Sequence, residues 1–122
     1  MKIELAGVER PIDFGLNTFI QIAEEEGTDM NDVLVKLAPK DNSVNVKIFR
    51  SLLYWSLYYG EVRLAKEQNR EANIDFDVLD VGDWATELLY SGGAEEVFTK
   101  MAETMPQGEK KPKKQKSPQK TS

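Results

Sequence analysis

The four aspartates of DFDVLDVGD, residues 75 to 83, are the nearest this sequence comes to a reactive constellation. Asp75, Asp77, Asp80 and Asp83 carry the oxygen donors that hold calcium or magnesium, and a cation on Asp77, Asp80 and Asp83 would activate water in a carboxylate-only hydrolase. The spacing argues against both. A calcium-binding loop opening at Asp75 needs an oxygen ligand at 79, a glycine at 80 and a glutamate at 86, where the sequence has Leu79, Asp80 and Thr86. Acids near a helix N-terminus, answering the positive end of its dipole, account for them more simply. The triplet Glu24, Glu25, Glu26 reads as a solvated helix face, since consecutive side chains point in different directions around a helix.

The rest of the enzymatic repertoire is thin. The 122 residues include no cysteine and no histidine, which excludes disulfides, thiolate or imidazole metal sites, and nucleophiles paired with histidine. No phosphate-cradling glycine loop, nucleophile elbow or internal repeat is present. The expectation is a protein that is not an enzyme, with no catalytic, metal or cofactor-binding residues and no cofactor.

Charge divides the chain. Residues 106 to 122, PQGEKKPKKQKSPQKTS, hold six lysines and one glutamate, or plus 5; with a net charge of minus 5 overall, residues 1 to 105 carry minus 10. The final segment has no aliphatic or aromatic residue, so it cannot offset the entropy of ordering and reads as a disordered Lys/Pro-rich tail behind a single domain of residues 1 to 105. Its lysines could meet nucleic acid through counterion release, but without interleaved aromatic residues a solvated terminus is the better reading. The N-terminus carries Glu4 and Glu9 where a signal peptide needs an apolar run, and IFRSLLYWSLYY, 48 to 59, is interrupted by Arg50 and too short to span a bilayer. No membrane association is expected.

Hydrophobic periodicity supplies the elements. Residues 2 to 6 and 8 to 14 alternate around Gly7 and predict a hairpin, with Pro11 confined to an edge or to a position needing no amide hydrogen. Leu16, Phe19, Ile20 and Ala23 then share one helix face, closed by Gly27. Met30, Val33, Leu34 and Leu37 form a second stripe, capped by Thr28 or Asp29 and stopped by Pro39, with a loop over 40 to 43. The next helix, about 44 to 70, is apolar around much of its girth through Val46, Ile48, Phe49, Leu52, Leu53, Trp55, Leu57 and Tyr59. That makes it the central element. Tyr54 and Tyr58 lie one above the other on its remaining side, among Lys47, Arg50, Ser51 and Glu61, where they either cover the core under a loop or meet a partner.

A fourth helix places Val78, Val81, Trp84, Ala85, Leu88 and Leu89 on one arc and Asp80, Asp83 and Glu87 on the other flank. Gly82 lies at the rim of that arc, where it serves either a close approach by a neighbour, the favoured reading, or a break with Asp83 as a new cap. Ala94, Val97, Phe98, Met101, Ala102 and Met105 form a last stripe. The predicted fold is mainly α: a short N-terminal β-hairpin followed by a compact bundle of about five helices.

Two stretches resemble the tail assembly chaperones of long-tailed, siphovirus-like bacteriophages or prophages. In GVERPIDFGLNTFIQIAEEEGT, Gly7, Pro11, Phe14, Gly15, Leu16 and Asn17 match that family's turn, second strand and opening helix. SLLYWSLYYGEVRLAKEQ and the later VGDWATEL, with Val81, Gly82, Asp83 and Trp84, match its aromatic-rich helix and closing motif. The similarity covers most of residues 1 to 90. It implies a non-enzymatic role in the host bacterial cytoplasm: binding and solubilising the tape-measure protein, helping tail-tube subunits assemble around it, and being absent from the mature virion. It implies self-association in multiple copies and, in many members, a longer frameshifted form; the Lys110, Lys111 pair is where an A-rich slippery tract would lie. Tyr54, Tyr58 and Trp84 are then the candidate partner contacts, and Phe19 belongs to the core. A small nucleic-acid-associated regulator acting through the basic tail is the alternative.

Overall fold

Strands Lys2–Leu5 (β1) and Val8–Pro11 (β2) pair antiparallel, with Lys2 opposite Pro11 and Leu5 opposite Val8. Ala6 and Gly7 form the two-residue turn between them, both at positive φ (52° and 79°), as the twist of a tight hairpin requires. The computed structural model describes residues 1–37 and 45–104. Pro39, the loop at 40 to 43, Met105 and the tail at 106 to 122 lie outside the described residues.

The strands are shorter than predicted, because after Pro11 the chain stays extended but exchanges its sheet partner for a helix. Among the described residues five helices follow: α1 (Leu16–Glu26), α2 (Met30–Leu37), α3 (Val46–Glu67), α4 (Val78–Ser91) and α5 (Ala94–Thr104). The predicted class, a mainly helical bundle behind an N-terminal hairpin, is the observed one. Local chemistry sets the boundaries. Gly27 closes α1 in the left-handed conformation (φ 66°), the Asp29 carboxylate accepts the Asp32 amide at 2.8 Å to open α2, and Asn45 accepts the Ile48 amide at 3.1 Å to open α3. Asp77 and Asp80 open α4 as a reciprocal capping box, each accepting the other's backbone N–H. Two of the four suspected metal ligands are thereby occupied in capping, and no three acids converge on one point among the described residues.

α3 is the hub, as its apolar girth predicted. It packs against α1, α2, α4 and β2, and buries Ile48, Phe49, Leu52, Leu53 and Leu57 completely. Ile3 and Leu5 reach the same core from the hairpin, and Phe49 meets Phe98 of α5 with ring centroids 5.5 Å apart.

The backbone of the Pro11–Phe14 segment lies directly on α3. A Cβ at Gly60 would fall 2.4 Å from the Pro11 carbonyl oxygen, so only glycine admits the contact. Alongside, the Asp13 amide donates to the Ser56 carbonyl at 2.9 Å, the Thr18 hydroxyl donates to the Asp13 carbonyl, and the Asp13 carboxylate receives the Gly15 amide and the Arg63 guanidinium.

Three expectations are corrected. The buried face of α1 is Thr18, Phe19, Ile22 and Ala23, so Leu16 (63% exposed) and Ile20 (38%) look outward; α3 and α2 approach from the other side of the helix. Val46 and Val78, assigned to apolar faces, are 58% and 51% exposed because they lie at helix starts that no neighbour among the described residues covers. At Gly82 neither a break nor a close approach occurs. α4 runs unbroken through it, and a Cβ there would meet only Arg50 Cδ at 3.6 Å, an ordinary contact. The close approach belongs to Gly60 instead.

Candidate interaction surface

An unbroken series of ring contacts crosses one side of the molecule. Tyr59, Tyr58, Trp55 and Tyr54 follow one another along α3 with centroid separations of 5.1, 5.3 and 5.0 Å. Tyr54 then meets Phe76 at 5.7 Å, and Phe76 meets Trp84 of α4 at 6.1 Å. Most of these pairs are edge-to-face, the arrangement the ring quadrupoles favour. Tyr54 and Tyr58 do not stack on each other; Trp55, which periodicity had placed in the core, lies between them and is half-buried.

Polar groups anchor this belt to its neighbours. The Trp55 indole donates to Glu25 at 2.9 Å and the Tyr59 hydroxyl to Gln21 at 3.4 Å, joining α3 to α1. Lys47 pairs with Glu26 at 3.6 Å. Glu24 and Glu25 are exposed, as a solvated face requires, and Glu26 is half-buried beside Lys47, so the triplet stays at the surface while two of its carboxylates also reach α3.

The connection from 68 to 77 carries Phe76 into the belt without forming a helix or strand. Side chains hold it in place. Glu61 accepts both the Arg70 guanidinium (2.6 Å) and the Asn73 amide (2.8 Å), and Arg10 of β2 donates to Asp75 at 2.7 Å. The guanidinium of Arg10 also lies 4.7 Å from the Trp84 ring centroid and 5.7 Å from that of Phe76. Arg70, with help from the Asn73 amide, holds the Glu61 carboxyl below the usual carboxylate range, and Arg10 does the same for Asp75.

Beside the belt runs an open groove between α3 and α4. Its larger part, about 650 Å³, is lined by Val46, Lys47, Arg50, Val78, Leu79, Gly82 and Asp83, among others. A smaller part of about 290 Å³ continues toward Glu25, Tyr54 and Trp55, sharing Lys47, Arg50 and Val78. Val46, Val78 and Leu79 each expose more than half of their surface here, Leu79 reaching 72%. Gly82 keeps the groove open, since any longer side chain would project beside the Arg50 stem.

The candidate contacts Tyr54, Tyr58 and Trp84 thus fall on one connected surface, yet all three are half-buried rather than exposed, and Arg10 covers a face of Trp84. Tyr54 alone of the three lines the groove. Of the motif positions, Gly7 forms the turn, Pro11 lies against Gly60, Phe14 and Val81 are core, Gly15 precedes α1, Leu16, Asn17 and Asp83 face solvent, and Gly82 floors the groove. Sequence reasoning missed Arg10, Phe76, Gly60 and Leu79. The only sequence signals for them were an aromatic residue between two aspartates and a glycine inside an otherwise apolar helix. No helix among the described residues is long and apolar enough to cross a membrane. No known family, curated protein or solved structure matches this chain.

Proposed function

We propose that this chain is a tail assembly chaperone of a long-tailed bacteriophage or prophage. It holds the helical tape-measure protein in solution in the host bacterial cytoplasm while tail-tube subunits assemble around it, acts in several copies, and catalyses nothing itself. The motifs shared with that family supply the identity of the client. The observation that supports a holding role is the groove itself: exposed Val46, Val78 and Leu79 beside a continuous aromatic belt, an adaptable apolar surface of the sort that receives an amphipathic helix.

Co-expression with the tape-measure protein encoded beside it tests the reading. The expected result is co-purification of the wild-type chain with that protein. The Tyr54→Ala, Tyr58→Ala double variant should retain several-fold less while still melting cooperatively. Failure of the wild type to retain any tail component would overturn the proposal; undiminished retention by a folded double variant would remove the two tyrosines from the contact.

A further inference from the structure

The groove between α3 and α4 has a chemical polarity that specifies its occupant more narrowly than apolar surface alone. Three charged side chains line its larger part. Lys47 is already paired with Glu26. Arg50 has no hydrogen bond, ion pair or ring contact among the described residues, and its Cδ lies 3.6 Å from the point where a Gly82 Cβ would stand. Its stem therefore lies along the groove floor, with an unspent guanidinium at the junction of the two cavities. Asp83 stands on the α4 side. The two charges differ in sign and come from opposite helices, in a groove that Val46, Val78 and Leu79 also line.

We propose that the groove binds an amphipathic helix whose aliphatic stripe covers Val46, Val78 and Leu79 and whose edge carries a carboxylate for Arg50, with a basic residue opposite for Asp83. This rests on the chaperone reading for the identity of the client, but the recognition chemistry stands on the geometry. A guanidinium with planar donors and no partner among the described residues is suited to a carboxylate, and a partly desolvated pair of this kind fixes register and orientation. The chain's own residues 106 to 122 are poor occupants: they have no aliphatic side chain, and their six lysines would repel Arg50.

Gly82 gives the sharpest test, because Gly82→Leu fills the groove while improving helix propensity and so does not work by unfolding the protein. The probe is a fluorescent helical peptide with leucines at i, i+3, i+4 and i+7, glutamate on one edge and lysine on the other; a comparison peptide carries lysine on both edges. In anisotropy titrations of the full chain, the glutamate peptide should bind about tenfold tighter than the comparison peptide, the difference one desolvated ion pair supplies. Arg50→Glu should invert that preference, and Gly82→Leu should abolish binding of both at an unchanged or raised melting temperature. Equal affinities for the two peptides, or undiminished binding to Gly82→Leu, would overturn the proposal. So would a dimer in sedimentation that Gly82→Leu dissociates, since a second copy would then be the occupant. A parallel pull-down separates the two hypotheses. Tape-measure protein retained equally by wild type and Gly82→Leu refutes the groove and leaves the chaperone reading standing, whereas peptide binding without tape-measure retention does the reverse.

Discussion

Gly60 and Gly82 both lie inside long, continuous helices, and their surroundings give them opposite roles. A methyl group at Gly60 would lie 2.4 Å from the Pro11 carbonyl oxygen, a rigid backbone atom, and would drive the hairpin off α3. Gly60→Ala is expected to lower the free energy of unfolding by roughly 2–4 kcal/mol in urea titrations, at the upper end of overpacking costs, because backbone rather than a side chain must move. At Gly82 the added carbon meets only Arg50 Cδ at 3.6 Å. Gly82→Ala should therefore raise stability by about 1 kcal/mol, the helical advantage of alanine over glycine. Changes of the same sign at both positions would refute this assignment. Sequence alone ranks the two glycines wrongly, since the opposing atom at Gly60 comes from a residue 49 positions earlier in the chain.

The 68–77 connection is the element whose behaviour depends on charge. Glu61 and Asp75 both have depressed folded-state pKa values, each because an arginine donates to the carboxylate. The stabilisation they provide is fully present above the unfolded carboxylate values, about 4, and is lost as the pH falls through the depressed values. Because Glu61 and Asp75 fasten the same connection, its amides should lose hydrogen-exchange protection, and Trp84 fluorescence should change, at a higher pH than the far-UV signal of the helices. Glu61→Gln should weaken the attachment already at neutral pH and flatten its acid dependence. If fluorescence and helicity titrate together in the wild type and the variant keeps the same curve, the carboxylates are not what holds the connection. Periodicity identified the helices on either side of this segment correctly, because amphipathic stripes and capping residues are local. It gave no account of the segment itself, whose anchors Arg10 and Asp75 are 65 residues apart.

For the whole molecule, hydrophobic pattern was sufficient for the class and order of elements but not for the rotation of each helix. Leu16, Ile20, Val46 and Val78 all satisfy a helical stripe and all are exposed, because the pattern defines a face while the positions of other elements decide which part of it is covered. The same mismatch is what made the groove hard to see: two of its three exposed aliphatic residues read as core. What joins the parts is a contiguous buried cluster running from Ile3 and Leu5 through Phe49 and Leu53 to Val81 and Val97, with Phe76 at its edge bridging Tyr54 and Trp84. A cluster without a seam unfolds as one unit. Both tryptophans of the chain, Trp55 and Trp84, belong to the belt, so intrinsic fluorescence reports the belt while far-UV circular dichroism reports the helices. At neutral pH the two signals should therefore give coincident urea transitions. Phe76→Ala, which deletes a buried ring shared by α3 and α4, should shift both transitions together by roughly 2–4 kcal/mol. A fluorescence transition that moves alone, leaving the helical one in place, would mean that the belt is a separately melting surface layer and that the core does not couple α4 to the hairpin.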